Sequence, residues 1–170
     1  MISRPQKLGA PICPFTEDEF WAAHDEWGFN CGPASLATMA GLKPAQVRGL
    51  LPNFEQKRYT NPTMMLQALK ALGIGVQHAG DSQKLTQYGI CRIQWEGPWT
   101  QPGAPAKWAY TKTHWIGAMV IRGYPWVYDV NADWQEMEAW EKITVPALTS
   151  AIERATGKWR PTNRWELVFR

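Results

Sequence analysis

The sequence predicts an α+β fold, and three observations carry that prediction. Helix signals fill the first half of the chain and alternating strand signals the second, so the two kinds of element are segregated rather than interleaved. At 170 residues the chain has the length of one ordinary domain. With 45% hydrophobic and 19% charged residues, its composition is globular and excludes disorder, collagen and coiled coil.

The opening fifteen residues hold Pro5, Gly9, Pro11 and Pro14 and read as an irregular N-terminal arm. Thr16 followed by Glu17, Asp18 and Glu19 is an N-cap with an acidic first turn, so a short helix is expected to about Asp25, with Gly28 as the break. The run from Cys31 to Gly41 is the plainest helix. Pro33 is tolerated in its first turn, Leu36, Ala37 and Ala40 form one face, and Gly41 ends it. Pro44 starts another short helix with Val47, Leu50 and Leu51 on one face, closed by Pro52. After a polar loop from Asn53 to Thr60, Asn61 and Pro62 open a third helix in which Met65, Leu69 and Leu72 recur at helical spacing up to Gly73.

From Ile74 the pattern changes to short runs, such as Cys91, Ile93 and Trp95 alternating with Ile90, Arg92 and Gln94. The Pro- and Gly-rich stretch from Trp99 to Ala109 is a long loop. Trp115 to Ile121 and Trp126 to Val130 flank Arg122-Gly123-Tyr124-Pro125 as an antiparallel hairpin. The carboxylates between Asp133 and Glu141 read as the solvated face of a helix, a further helix is expected near Pro146 to Ala155, and Trp165, Leu167 and Phe169 alternate in a closing strand.

No apolar run approaches a membrane span, and residues 1–15 lack the apolar core of a secretory signal, so a cytoplasmic location is expected, with no membrane partner. Cys13, Cys31 and Cys91 cannot all pair internally and form no metal knuckle, which suits free thiols in a reducing compartment and gives no reason to expect a metal or cofactor. Net charge is +3 with Lys and Arg scattered singly, which falls short of a nucleic-acid footprint. The oddity is eleven Trp against five Tyr and five Phe, an excess suited to the half-buried walls of a groove.

Three places carry chemistry. Cys31 opens a helix, where the helix N-terminus and a neighbouring imidazolium would lower a thiol pKa and make it a nucleophile. His114 opens a strand, and Asp129 and Asn131 lie on the strand returning beside it, close enough to orient the imidazole through its second nitrogen. Both share a face by strand parity; a carboxylate stabilises an imidazolium more than an amide does, which favours Asp129 and keeps Asn131 as the alternative. Cys13, Cys91, Met64 and Met65 read as structural, and His78 as a surface residue.

Asn30-Cys31-Gly32-Pro33-Ala34-Ser35-Leu36-Ala37, Thr113-His114-Trp115-Ile116-Gly117-Ala118-Met119-Val120 and Tyr128-Asp129-Val130-Asn131 resemble the papain-like cysteine peptidases of the C39, double-glycine or bacteriocin-processing, type. Tyr59-Thr60-Asn61-Pro62-Thr63, leading into a Met/Leu helix, is similar to what small phage and bacterial members of that clan carry between nucleophile and histidine. The resemblance covers Trp27 to Ala132. It implies one papain-like domain over residues 1–170, in which the nucleophile helix of a helical N-terminal half packs on a C-terminal antiparallel sheet.

The implied activity is hydrolysis of a peptide or isopeptide bond through a thioester on Cys31, with His114 as base and acid and Asp129 as orienter. The implied partner is a polypeptide substrate or a conjugated host protein, met in the host cytoplasm if the chain is phage-borne. One departure stands out. These peptidases place an oxyanion-hole Gln about six residues before the cysteine, where this chain has Asp25, a carboxylate that would repel an oxyanion. Asn30 and His24 are the other candidates for that role. The departure keeps acyl transfer, deamidation or transglutaminase-like chemistry open, as well as a non-catalytic binding protein on the same scaffold. Trp27, Trp95, Trp99, Trp108 and Trp115 are the candidates for the cleft wall.

Overall fold

The computed structural model describes residues 9–80 and 84–169, so the first eight residues of the expected arm lie outside it. The architecture is α+β. Five helices come first: α1 (Glu17–Trp27), α2 (Cys31–Ala40), α3 (Pro44–Arg48), α4 (Phe54–Lys57) and α5 (Pro62–Ala71). The strands follow as β1 (Gly75–His78), β2 (Tyr88–Trp95), β3 (Thr113–Ile121), β4 (Tyr124–Asp129), β5 (Asp133–Glu136) and β6 (Trp159–Val168). They form one antiparallel six-stranded sheet in the order β1-β6-β2-β3-β4-β5.

The helix ends follow their local chemistry. Thr16 caps α1 in a capping box with Glu19, and Asn30 caps α2 through a bond from the Gly32 N–H. Asn61 caps α5 by accepting from the Met64 N–H. Gly28 and Gly41 take the left-handed conformation that ends α1 and α2.

Helix α2 is apolar all round, and every residue from Gly32 to Met39 is buried, so it cannot sit at the surface. It packs between the sheet and helices α3 and α5. At β3 the approach is close enough that a Cβ on Gly117 would stand 2.7 Å from Met39 Sδ and 3.3 Å from Tyr128 Cβ. Alternation along β3 gives the sheet two apolar faces. Trp115, Tyr128, Trp126, Trp165 and Leu167 join the core under the N-terminal helices. Cys91, Ile93, Trp95, Ile116, Ala118 and Val127 form a second cluster with Trp140 and Val145.

Several elements differ from the sequence expectation. Phe54 is buried and begins the helical turn α4 within what the sequence presents as a polar loop. The β3–β4 turn is only Arg122-Gly123, both at positive φ as a two-residue hairpin turn requires, so Tyr124 and Pro125 belong to β4. Pro125 is accommodated at the head of β4 because the ladder to β5 begins one residue later, at Trp126.

Asp133 to Glu136 is strand β5 rather than a solvated helix face. A tight turn closed by Ala132 N–H to Asp129 O reverses the chain there, and Trp134 and Gln135 are buried. Helix begins at α6 (Met137–Ala139), passes through a π-helical turn at Trp140–Thr144 and ends as α7 (Val145–Ser150), short of Ala155. Phe169 is exposed beyond the end of β6, while Trp165 and Leu167 are buried as their alternation implies.

Gly117→Val tests whether this close packing positions α2. With Met39 on one side and Tyr128 on the other, the added carbons cannot be absorbed by one flexible side chain, and thermal or denaturant unfolding should show a loss of about 1–3 kcal/mol.

Candidate active site

The site is assembled at the end of the sheet where β3 begins. On β3 the even-numbered residues turn their backbone groups toward β2, in line with the bonds Trp95 N–H to Lys112 O and Val120 N–H to Gln87 O at the two ends of that ladder. The odd-numbered residues therefore face β4. That pairing runs only from Ile121↔Tyr124 to Gly117↔Tyr128, so β4 has left the ladder before Trp115. The Trp115 N–H is directed instead to the Cys31 sulfur at the head of α2.

Cys31 and His114 meet at this opening, where thiol and imidazole are coupled by a hydrogen bond and by charge. His114 is 8% exposed, and its Nε2 lies 3.0 Å from Asp129 Oδ2, which leaves Nδ1 for the sulfur. Asp129 is fully buried. Its Oδ2 also accepts from Trp140 Nε1 at 3.0 Å, and its Oδ1 accepts both the backbone N–H and the side-chain amide of Asn131, each at 3.0 Å. Trp95 stacks on the imidazole, with ring centroids 5.7 Å apart and planes 25° from parallel, which fixes the ring and favours its cationic form.

These contacts set the protonation states. Burial would push the Cys31 thiol up, yet the charge and hydrogen bond of His114 and the Trp115 N–H bring it below its ordinary value. Burial would lower His114, but the charges of Asp129 and Cys31 and its hydrogen bonds to both hold it well above 6.5. Burial would raise Asp129, and the His114 charge together with its hydrogen-bond donors brings it down to about 2. The three shifts all favour the charged forms, a thiolate, an imidazolium and a carboxylate in a row. By contrast, burial raises the Cys13 thiol and pushes that of Cys91 up to about 11.

The structure brings together Cys31, His114 and Asp129. Asn131 does not contact the imidazole as a second orienter; it sits in the turn after β4 and clamps the carboxylate. Of the oxyanion-hole candidates, Asn30 is committed elsewhere, its Oδ1 capping the Gly32 N–H and its Nδ2 donating to Arg58 O at 3.1 Å. His24 and Asp25 pair with each other at 3.2 Å on the exposed side of α1. With the Gly32 N–H capped, Pro33 lacking an N–H and the Ala34 N–H bonded to Asn30 O, the Cys31 N–H is the donor that the first turn of α2 leaves for a developing oxyanion.

The tryptophans divide. Trp27 is core, edge-on to Phe29 and Phe54, and Trp115 is core, its Nε1 bonded to Thr60 O at 2.8 Å, because strand alternation turns it away from the His114 face. Neither lines a cleft. Trp95 is at the site, Trp99 is tied behind it by Nε1 to Trp95 O at 2.6 Å, and Trp108 is exposed on the following loop. The sequence reading missed Trp140, since nothing in its spacing marks a residue on the π-helical turn as the partner of a carboxylate on β4. Among the described residues no group of three or more His, Cys, Asp or Glu could hold a metal ion, and no helix is long and apolar enough to cross a membrane. No family model, curated protein or solved structure matches the chain.

Asp129→Asn separates charge from geometry at His114. Without the carboxylate charge, only Cys31 still opposes the effect of burial, and the imidazole should titrate lower than in the native protein, as read from its ring-proton NMR shifts against pH. The raised value also gives a sign for stability. The native protein's contribution from charged His114 is complete below 6.5 and is lost as pH rises through the folded value, so Asp129→Asn should flatten that alkaline decline in denaturant titrations.

Proposed function

We propose that the chain is a small papain-fold cysteine hydrolase that cleaves a peptide or isopeptide bond in a polypeptide substrate. The observation that carries the reading is the Cys31–His114–Asp129 row, in which the thiol is brought below its ordinary value despite burial. A structural cysteine has no need of such a partner, as Cys91 illustrates. The antiparallel sheet with α2 packed on it and His114 at a strand start is consistent with the papain-like arrangement that the sequence motifs suggest.

The chemistry follows from the positions. Cys31 thiolate attacks the acyl carbon, and the carbonyl oxygen gains charge beside the Cys31 N–H. The imidazolium gives the proton at Nδ1 to the leaving nitrogen as the C–N bond breaks, leaving a thioester and a neutral imidazole. Water then attacks the thioester, its proton passes to His114, and the C–S bond breaks to restore the thiolate and imidazolium. Asp129 keeps its charge throughout and holds the ring so that Nδ1 faces the sulfur.

The rate on a cleaved polypeptide should follow a bell in pH. The acid limb reports loss of the thiolate, displaced below the ordinary thiol value of 9.0, and the alkaline limb reports loss of the imidazolium, displaced above 6.5, with both apparent values belonging to the pair. Cys31→Ala should lower kcat by about a thousandfold or more, and a Cys31 thioester should be trappable from the native protein. Full activity in Cys31→Ala would sink the mechanism. Release of ammonia, or an acylated amine in place of two peptide ends, would redirect it to deamidation or acyl transfer.

A further inference from the structure

Arg92 lies on β2 directly across from Trp115, the residue whose N–H reaches the Cys31 sulfur. It is 8% exposed, and among the described residues it forms no ion pair with a carboxylate. Its guanidinium has one hydrogen bond to a side chain, Nη2 to Thr113 Oγ1 at 3.1 Å, and its carbon stands 5.8 Å from the centroid of the Tyr110 ring. Nε is buried with no hydrogen-bond partner among the described residues.

A buried charge is ordinarily paired, and a buried donor without a partner calls for an explanation, a bound ion or ligand among them. Packing of the aliphatic stem alone would be served as well by Leu or Met. Arg92 shares with Thr113 and Trp115 the sheet face against which Cys31 packs, opposite the face of His114. The charge of Cys31 acts on the guanidinium there. Tyr110, over the cation, is largely exposed at the end of the loop that follows Trp99. Nη1 carries no protein acceptor among the described residues and, unlike Nε, is not shut in without a partner. The Nη edge of a guanidinium is suited to a planar anion such as a carboxylate.

We propose that Arg92 is a substrate-binding residue that receives a carboxylate of the polypeptide held at Cys31, carried by an acidic side chain near the scissile bond or by a nearby chain terminus. The proposal rests on the cysteine-hydrolase reading for its substrate, and it gives that reading a specificity. An acidic group at one position would order the chain across β2 and bring the acyl carbon to the thiolate, while a neutral chain would leave the buried cation unpaired.

Alkylation of Cys31 tests the site without a known substrate. Iodoacetate and iodoacetamide both form an S–C bond with loss of iodide, but only iodoacetate brings a carboxylate; N-iodoacetylglycine and its amide react in the same way and extend the reach. The acid-to-amide rate ratio for the better-matched pair should fall about tenfold in Arg92→Gln and be only partly kept in Arg92→Lys, which retains the charge but not the fork. An unchanged ratio in Arg92→Gln for both pairs overturns the proposal. The functional reading fails separately, if iodoacetamide modifies Cys31 no faster than an ordinary thiol. With the Cys31→Ala protein, peptides paired as Glu against Gln and as free against amidated termini then name the source of the carboxylate. Equal binding within both pairs also overturns the proposal.

Discussion

The buried carboxylate of Asp129 is the constraint on which the site depends. A carboxylate without solvent must be paired and hydrogen-bonded or it neutralises. Here four donors converge on it: His114, Trp140, and the backbone and side-chain amides of Asn131. These donors come from three pieces of local structure: the start of β3, the π-helical turn after α6, and the turn that follows β4, which supplies two of them. Satisfying one buried charge therefore fixes where three segments sit relative to one another. It also holds the imidazole with Nε2 occupied and Nδ1 left toward α2.

The second requirement is the early end of the β3–β4 ladder. Had β4 continued in register past Asp129, the Trp115 N–H would bond to it and the sulfur would find the position closed. The turn at Asp129–Ala132 instead takes the chain into β5, and the opening receives the head of α2. Gly117 lets α2 approach the sheet closely enough to use it. Trp95 and Trp140 complete the surroundings as polarised walls, one stacked on the ring and one bonded to the carboxylate.

Much of this is legible in the chain because its signals are local. Thr16, Asn61 and Gly41 announce helix ends through bonds and dihedrals within one turn, and α2 is recognisable from Pro33 and its small apolar residues. Cys31 and His114 stand out because each begins an element, and Asp129 because a hairpin returns it to the level of His114. What was not legible depends on contacts between distant segments. Trp27 and Trp115 have the composition of groove residues but are drawn into the core by partners at Phe54 and Thr60. Strand β5 reads as a charged helix face because Trp134 and Gln135 are buried only once β4 is beside them. That Arg92 has no carboxylate beside it among the described residues is invisible in sequence, since it depends on which distant segments pack there.

The most direct measurement is the ultraviolet absorbance of the Cys31 thiolate against pH, taken as native protein minus Cys31→Ser so that Cys13 and Cys91 cancel, and repeated with His114→Ala. The account predicts that the native thiolate forms below the ordinary value of 9.0 and that removing His114 moves its formation upward, since burial then acts without the opposing charge. A native thiol that ionises at or above 9.0, unmoved by His114→Ala, would contradict it.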